Sequence, residues 1–418
     1  MLSITRYRSS VIILFAILFC IFIFTKCINN QKDKSADIVK AGNYEKFAGS
    51  GKCISCHKSI YDSHIQTAHF LTSVIATEKN IKGSFDTGKN TFVYNNGSLM
   101  AMQKRVDGFY QAAYINGTEK KSQRFDIIIG SGTKGQSFAS WLNNKLMQLP
   151  ITYFTSAHQW SNSPGYPNKI AFNRPITSRC LECHSTFADK ISPEQAEPEE
   201  FDKNRMILGV DCEKCHGPAK EHVEFQTKNP TEKKGKYILN PASFNRQQSL
   251  DMCAVCHGGR LQKSKPSFSF NAGDKLADYF TIDTTAKDVN NIDVHGNQSG
   301  LLAASKCFTM SKTLTCITCH NTHENEQGKT ALFSQRCITC HYDKHENVKG
   351  CKLQGLPENI LKANCTSCHM PEQSSMAIAV MLQGKTSPEP ALMHTHYIKA
   401  YPDEAKKVLA YLKSIKKT

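Results

Sequence analysis

The chain is poor in several features that would place it in a familiar class. It has only 2 tryptophans in 418 residues, and hydrophobic residues make up 40% of it, little for a chain that would ordinarily fold as two or three separate cores. The uninterrupted apolar run from Val11 to Phe24 is shorter than the ~20 residues a membrane-spanning helix wants. Acidic residues are outnumbered, 36 against 52 Lys and Arg, for a formal charge of +16. Yet no nucleic-acid motif accompanies that excess, which argues against nucleic acid as a partner. Gly130-x-Gly132-x-x-Gly135 follows a strand pattern but has no βαβ unit with a suitably placed acid around it. That excludes a dinucleotide fingerprint and leaves a tight turn.

Cysteine is not scarce. Fourteen of the 18 cysteines fall in seven copies of Cys-x-x-Cys-His. These are Cys53-Cys56-His57, Cys180-Cys183-His184, Cys212-Cys215-His216, Cys253-Cys256-His257, Cys316-Cys319-His320, Cys337-Cys340-His341 and Cys365-Cys368-His369. This pentapeptide is the attachment site of c-type haem. Cysteines three apart on one helical turn present two sulfurs to the vinyl groups of one porphyrin, and the next imidazole reaches its iron. Zinc sites would group such ligands in fours, and a disulfide framework has no use for a histidine after every second cysteine. Seven covalently bound haem c groups are therefore expected.

Haem changes the reading of size and charge. Six motifs lie between Cys180 and His369, too close for each haem to have its own protein core. The expected fold is mainly α with low regular secondary structure, haems stacked as the core, and a small antiparallel β subdomain inserted after the first haem. Each ferric haem adds about one negative charge, iron porphyrin at +1 and two propionates at −2. Seven lower the net charge to about +9, so much of the Lys and Arg excess is accounted for as propionate partners.

The N-terminus reads as an export signal. Arg6 and Arg8 precede the apolar run, and Thr25-Lys26-Cys27 and a polar stretch follow it. Cys27 stands where a lipoprotein signal places its lipidated cysteine, although Lys26 departs from the small-residue pattern. An uncleaved anchor is the alternative. Both put the chain outside the cytoplasm, in the periplasm or at the cell surface, tethered to the membrane. Residues 1–27 are thus signal or anchor, 28–48 a polar tether, 49–80 a first haem module and 81–157 a β-rich insert. Residues 158–388 are a six-haem core, and 389–418 a ligand segment ending in an amphipathic helix. In the insert, Thr91–Tyr94 and Leu99–Met102 flank Asn95-Asn96-Gly97-Ser98, a hairpin signal. In the last helix, Val408, Leu409, Leu412 and Ile415 share one face.

Each motif histidine is an expected iron ligand: His57, His184, His216, His257, His320, His341 and His369. What fills the opposite coordination position separates a wire from an enzyme, since a second histidine saturates the iron and an open position binds substrate. Nine histidines lie outside the motifs. His69, His222, His295, His323, His345 and His396 are the expected distal ligands. His64, His394 and His158 are weaker candidates, as are Met310 and Met370. Cys307 and Cys351 remain, and in an oxidising compartment a disulfide is the default for such a pair.

Cys53-Ile-Ser-Cys-His57 with Tyr61 and Thr67-Ala68-His69 resembles the cytochrome c-554-like multihaem family, related to hydroxylamine oxidoreductase and pentahaem nitrite reductase. Trp160–Tyr166, Cys212–Pro218 followed by His222, Cys316–His323 and Cys365–Pro371 look like its other signatures, so the resemblance covers most of residues 49–398. It implies a mostly helical scaffold with haems in closely packed parallel and perpendicular pairs. It also implies His69 rather than His64 as a distal ligand, because relatives often carry an aromatic where His64 stands. Nitrite reductases of this superfamily typically end one motif in lysine, and all seven here end in histidine.

The resulting functional expectation is a heptahaem electron carrier, with no catalytic residue assignable. It would pass electrons from a quinol-linked membrane donor to another redox protein, an extracytoplasmic acceptor or reductase. The alternative is a multihaem oxidoreductase acting on a small nitrogen or sulfur compound, of the nitrite, hydroxylamine or tetrathionate type, at one five-coordinate haem.

Overall fold

A computed structural model describes residues 42–282, 288–341, 351 and 357–415. The export segment, Cys27, most of the tether and His345 lie outside the described residues. Every element below belongs to one compact unit of residues 40–192 and 196–418. A second unit, residues 1–39 with 193–195, contributes no helix or strand among the described residues.

The strands overturn the expectation of a mainly α chain with one small insert. Five sheets run from Ser73 to His394. The largest has seven strands in the order β1 (Ser73–Ile75), β6 (Ile127–Ile129), β7 (Gly135–Leu142), β8 (Lys145–Gln148), β11 (Arg174–Pro175). Its other two members are β9 (Ile151–Phe154), paired with β7, and β10 (Gln159–Asn162), paired with β9. A four-stranded meander follows chain order: β2 (Thr91–Val93), β3 (Leu99–Arg105), β4 (Gly108–Ile115), β5 (Thr118–Arg124). Three antiparallel pairs lie further along: β12 (Ser185–Lys190) with β13 (Phe201–Leu208), β14 (Leu261–Lys263) with β15 (Phe280–Ile282), and β16 (Glu372–Val380) with β17 (Glu389–His394).

The two larger sheets close over a shared apolar core. Phe92, Met100, Met102 and Phe109 of the meander meet Ile128, Phe138, Ile151 and Trp160 of the seven-stranded sheet. A polar side chain, Gln111, also crosses between them. Gln111 is fully buried; its Nε2 donates to the Ile151 carbonyl at 2.6 Å and its Oε1 accepts from the Ile151 amide at 3.0 Å. Both ends of the amide are thereby satisfied, the condition for burying it without loss. The Asn95–Ser98 signal joins β2 to β3, with Gly97 at a φ of 78°. The three-glycine pattern makes the β6–β7 turn. Gly130 and Gly132 have φ of 104° and 79°, and a Cβ on Gly130 would meet the Gly135 oxygen at 2.7 Å.

Helices are short. Ser178–His184, Cys212–His216 and Cys365–His369 are little more than the motif itself, and the longest described helix is Pro402–Ile415. On that helix Val408, Leu409 and Leu412 are partly buried while Lys406 and Lys407 are exposed, as its periodicity implies. The physical reason for the strands lies in this brevity. A haem-binding motif needs one helical turn, and the backbone between turns must find its hydrogen bonds elsewhere; here it folds back as hairpins. No described helix is long and apolar enough to cross a membrane.

Candidate metal centres

Every motif is wound as about one helical turn. The amide of the motif histidine donates to the first cysteine's carbonyl at 2.8 Å in His57, 3.0 Å in His320 and 3.1 Å in His341. That bond brings two sulfurs and the imidazole to one side of the chain. Local caps set the turns: the Asp211 side chain accepts from the Cys212 amide at 2.7 Å, and Asn245 with Gln248 forms a capping box for Arg246–His257. Buried Glu213, on the side of its turn away from the sulfurs, accepts from the amides of Ala48, Gly49 and Ala219 at 2.7–2.8 Å.

The motifs adjoin one another. Cys53 lies beside Cys212, Cys183 beside Cys256 and Cys253 beside Cys316. Cys337 of the sixth motif lies near Cys365 of the seventh and Cys319 of the fifth.

Histidines outside the motifs face motif histidines at one recurring spacing. Ring centroids are 6.1 Å apart for His216 and His323, 6.3 Å for His257 and His69, and 6.1 Å for His320 and His396. A metal–nitrogen bond of about 2 Å, plus about 1 Å from nitrogen to ring centre, puts two imidazoles on opposite sides of one metal at about 6 Å. His295 is near enough to His184 to act electrostatically on it. Among the described residues no three His, Cys, Asp or Glu side chains converge on one point. The recurring unit is a pair.

Hydrogen bonding and burial prepare these rings for a metal. Nδ1 donates to the carbonyl of Leu239 in His216 (3.0 Å), of Lys399 in His369 (2.9 Å), of Lys236 in His222 (2.8 Å) and of Met370 in His394 (2.6 Å). In His257 it donates to Gln298 Oε1 at 3.2 Å, and the Gln298 amide nitrogen is itself committed to two carbonyls. A carbonyl can only accept, so the proton sits on Nδ1 and the lone pair on Nε2, the state a metal requires. Burial acts on a second set of rings, of which only His257 is shared. It pushes His69 down to about 4, helped by His257, His64 and His320, and His396 down to about 4, helped by His320 and His257. His184, His257, His295, His320 and His323 are lowered by the same cause. Imidazoles facing in pairs beside Cys-x-x-Cys turns, with Nδ1 committed and the Nε2 lone pair left over in His216 and His257, fit haem iron.

The sequence-predicted ligands divide accordingly. His69, His323 and His396 stand opposite motif histidines, and His295 lies beside one. His222 presents Nε2 but makes no ring contact with a motif histidine. Met310 is 76% exposed. Cys307 and Cys351 are both free, so the disulfide expected between them is not formed. Cys307 lies instead near Cys340, and Cys351 near Cys365 and Cys368. His64 is the residue the sequence undervalued. It is 7% exposed, its Nδ1 faces the Thr322 carbonyl at 3.3 Å, and its Nε2 is buried without a hydrogen-bond partner, 3.7 Å from Asp211. Its ring is 6.2 Å from His323. The signal was its seven-residue offset from His57, which returns it to the same helix face.

Comparison with known proteins points to haem-protein relatives. Residues 153–217 match the family described as cytochrome c554 and c-prime. The chain is a distant relative of haem-binding cytochromes. The dissimilatory sulfite reductase MccA of Wolinella succinogenes is 20% identical over 389 residues, covering 78% of this chain and 51% of that protein. The chain thus spans about half the length of the curated relative it matches. The outer cell wall cytochrome OcwA has a similar fold, with a TM-score of 0.52 and 16% identity over 87% of this chain and 81% of that one. Together with the paired histidines, these similarities support a general redox role.

Proposed function

We propose that the chain is a multihaem c-type cytochrome, with haem c at each of its seven motifs, that reduces a small sulfur or nitrogen oxyanion of the sulfite or nitrite type. The similarity to a sulfite reductase over most of the chain carries this reading. Bound iron porphyrin supplies one-electron transfer at saturated centres and oxyanion reduction at an open one. The protein's part is to hold the irons between fixed, neutral imidazoles and to leave one position free. His216–His323, His257–His69 and His320–His396 are the saturated pairs. Among the described residues His57, His184, His341 and His369 have no second imidazole in ring contact, and the open position belongs at one of these four. Work outside the cytoplasm, with tethering through the N-terminus and electrons arriving from a membrane donor, completes the proposal. The second reading, a pure electron carrier, is favoured by the number of saturated pairs.

The test is turnover. Full-length protein with haem attached, mixed with electrochemically reduced methyl viologen, is expected to oxidise the dye when sulfite or nitrite is added. Dye oxidation no faster than in protein-free controls with either oxyanion would leave the electron-carrier reading.

A further inference from the structure

One cavity has no place in the haem scheme. Its volume is roughly 840 Å³, within the range of small-molecule sites. No cysteine or histidine lines it, so it is not the seat of a covalently attached haem, which needs two of the first and one of the second. Glu213 and Lys214 reach it from the third motif's turn, on the side opposite the sulfurs.

The walls are aromatic. Phe47 and Phe187 meet with ring centroids 5.0 Å apart, and Phe187 and Phe268 at 5.5 Å. Arg205 is already committed to Asp189 and Glu45. Lys214 lies over the Phe268 ring at 5.0 Å, and Tyr237 and Glu221 add a hydroxyl and a carboxylate to the lining. Five described non-glycine residues adopt positive φ: Asn116, Asn143, His158, Tyr237 and Phe268. Asparagine and histidine tolerate that region, but for a bulky aromatic it is an outlier that the surroundings must impose. Both aromatic outliers, Tyr237 at 59° and Phe268 at 63°, line this cavity. Backbone strain of this kind gathers at ligand sites. Lys214 is also close enough to Cys183 and Cys256 to act electrostatically on both, so the cavity adjoins two haem-attachment turns.

We propose that this cavity binds a planar aromatic redox carrier of the hydroquinone/quinone class. The ring packs on the Phe47–Phe187–Phe268 wall; one oxygen accepts from the Lys214 ammonium and the other from the Tyr237 hydroxyl, and in the hydroquinone an O–H donates to the Glu221 carboxylate. An uncharged ligand suits the lining, where cations and carboxylates are near balance. The proposal rests on the cytochrome reading for its purpose, though not for its binding geometry.

The test is calorimetric titration of the full-length haem-loaded protein with menadione, a soluble naphthoquinone. One molecule per chain is expected to bind. Phe268→Leu is expected to weaken binding about tenfold, the loss of aromatic contact and area. Tyr237→Phe removes only a hydroxyl from a residue 61% exposed, so it leaves the fold intact and is expected to weaken binding several-fold. No binding up to millimolar menadione, or wild-type affinity in both variants, overturns the proposal. Failure of the cytochrome reading shows separately, in the haem-to-protein ratio of the expressed full-length chain before titration.

Discussion

Replacing Cys253 and Cys256 together by serine is expected to cost the protein one haem and much of its stability. The fourth motif is the junction of the series: Cys256 meets Cys183 of the second motif, and Cys253 meets Cys316 of the fifth. Its turn also packs Val255 and Ala254 against Leu261, Leu276 and Phe280. Without attached haem, His257 and His69 face each other unligated, ring centroids 6.3 Å apart, and the packing of Val255 that the motif's turn anchors loosens. The same double substitution at Cys337 and Cys340 serves as the contrast, since Cys340 and His341 are exposed. Haem-to-protein ratio and the denaturant midpoint measure both variants. One haem should be missing from each, with a large fall in midpoint for the fourth motif only. An unchanged haem count in the Cys253/Cys256 variant would contradict the assignment.

His396→Leu is expected to turn one low-spin haem high-spin. His396 lies parallel to His320 at 6.1 Å, with ring planes 27° apart, and leucine of similar reach cannot ligate. Roughly one in seven ferric irons should change spin state, read by EPR or resonance Raman. His69→Leu should do the same at the iron of His257. His158→Leu is the control, because His158 is exposed in a turn with a φ of 51° and faces no motif histidine. A His396→Leu spectrum identical to the unsubstituted protein would show that His320 and His396 do not share an iron.

The centres were more legible than the fold. Cys-x-x-Cys-His states its expected chemistry in five residues, His323 could be singled out from its distance to a motif, and His69 from the family resemblance. The Asn95–Ser98 hairpin was readable because its turn chemistry is local. Strands β12, β13, β16 and β17 were not. Glu372–Val380 and Phe201–Leu208 lack clean alternation, and both pairings carry register shifts, so no period-two pattern marks them. Strands β12 and β13 lie between the second and third motifs and β16 and β17 after the seventh, and their pairing is held in three-dimensional contacts. His64 was discounted because relatives place an aromatic there, whereas its burial beside Asp211 and His323 depends on contacts with residues 147 and 259 positions away.

The most direct test of the whole account is the EPR spectrum of the oxidised, haem-loaded protein before and after sulfite is added. The account predicts mainly low-spin iron from the paired histidines, with a minor high-spin signal that shifts or converts when sulfite binds. A spectrum that is entirely low-spin and indifferent to sulfite would contradict the open position on which the proposed reaction depends.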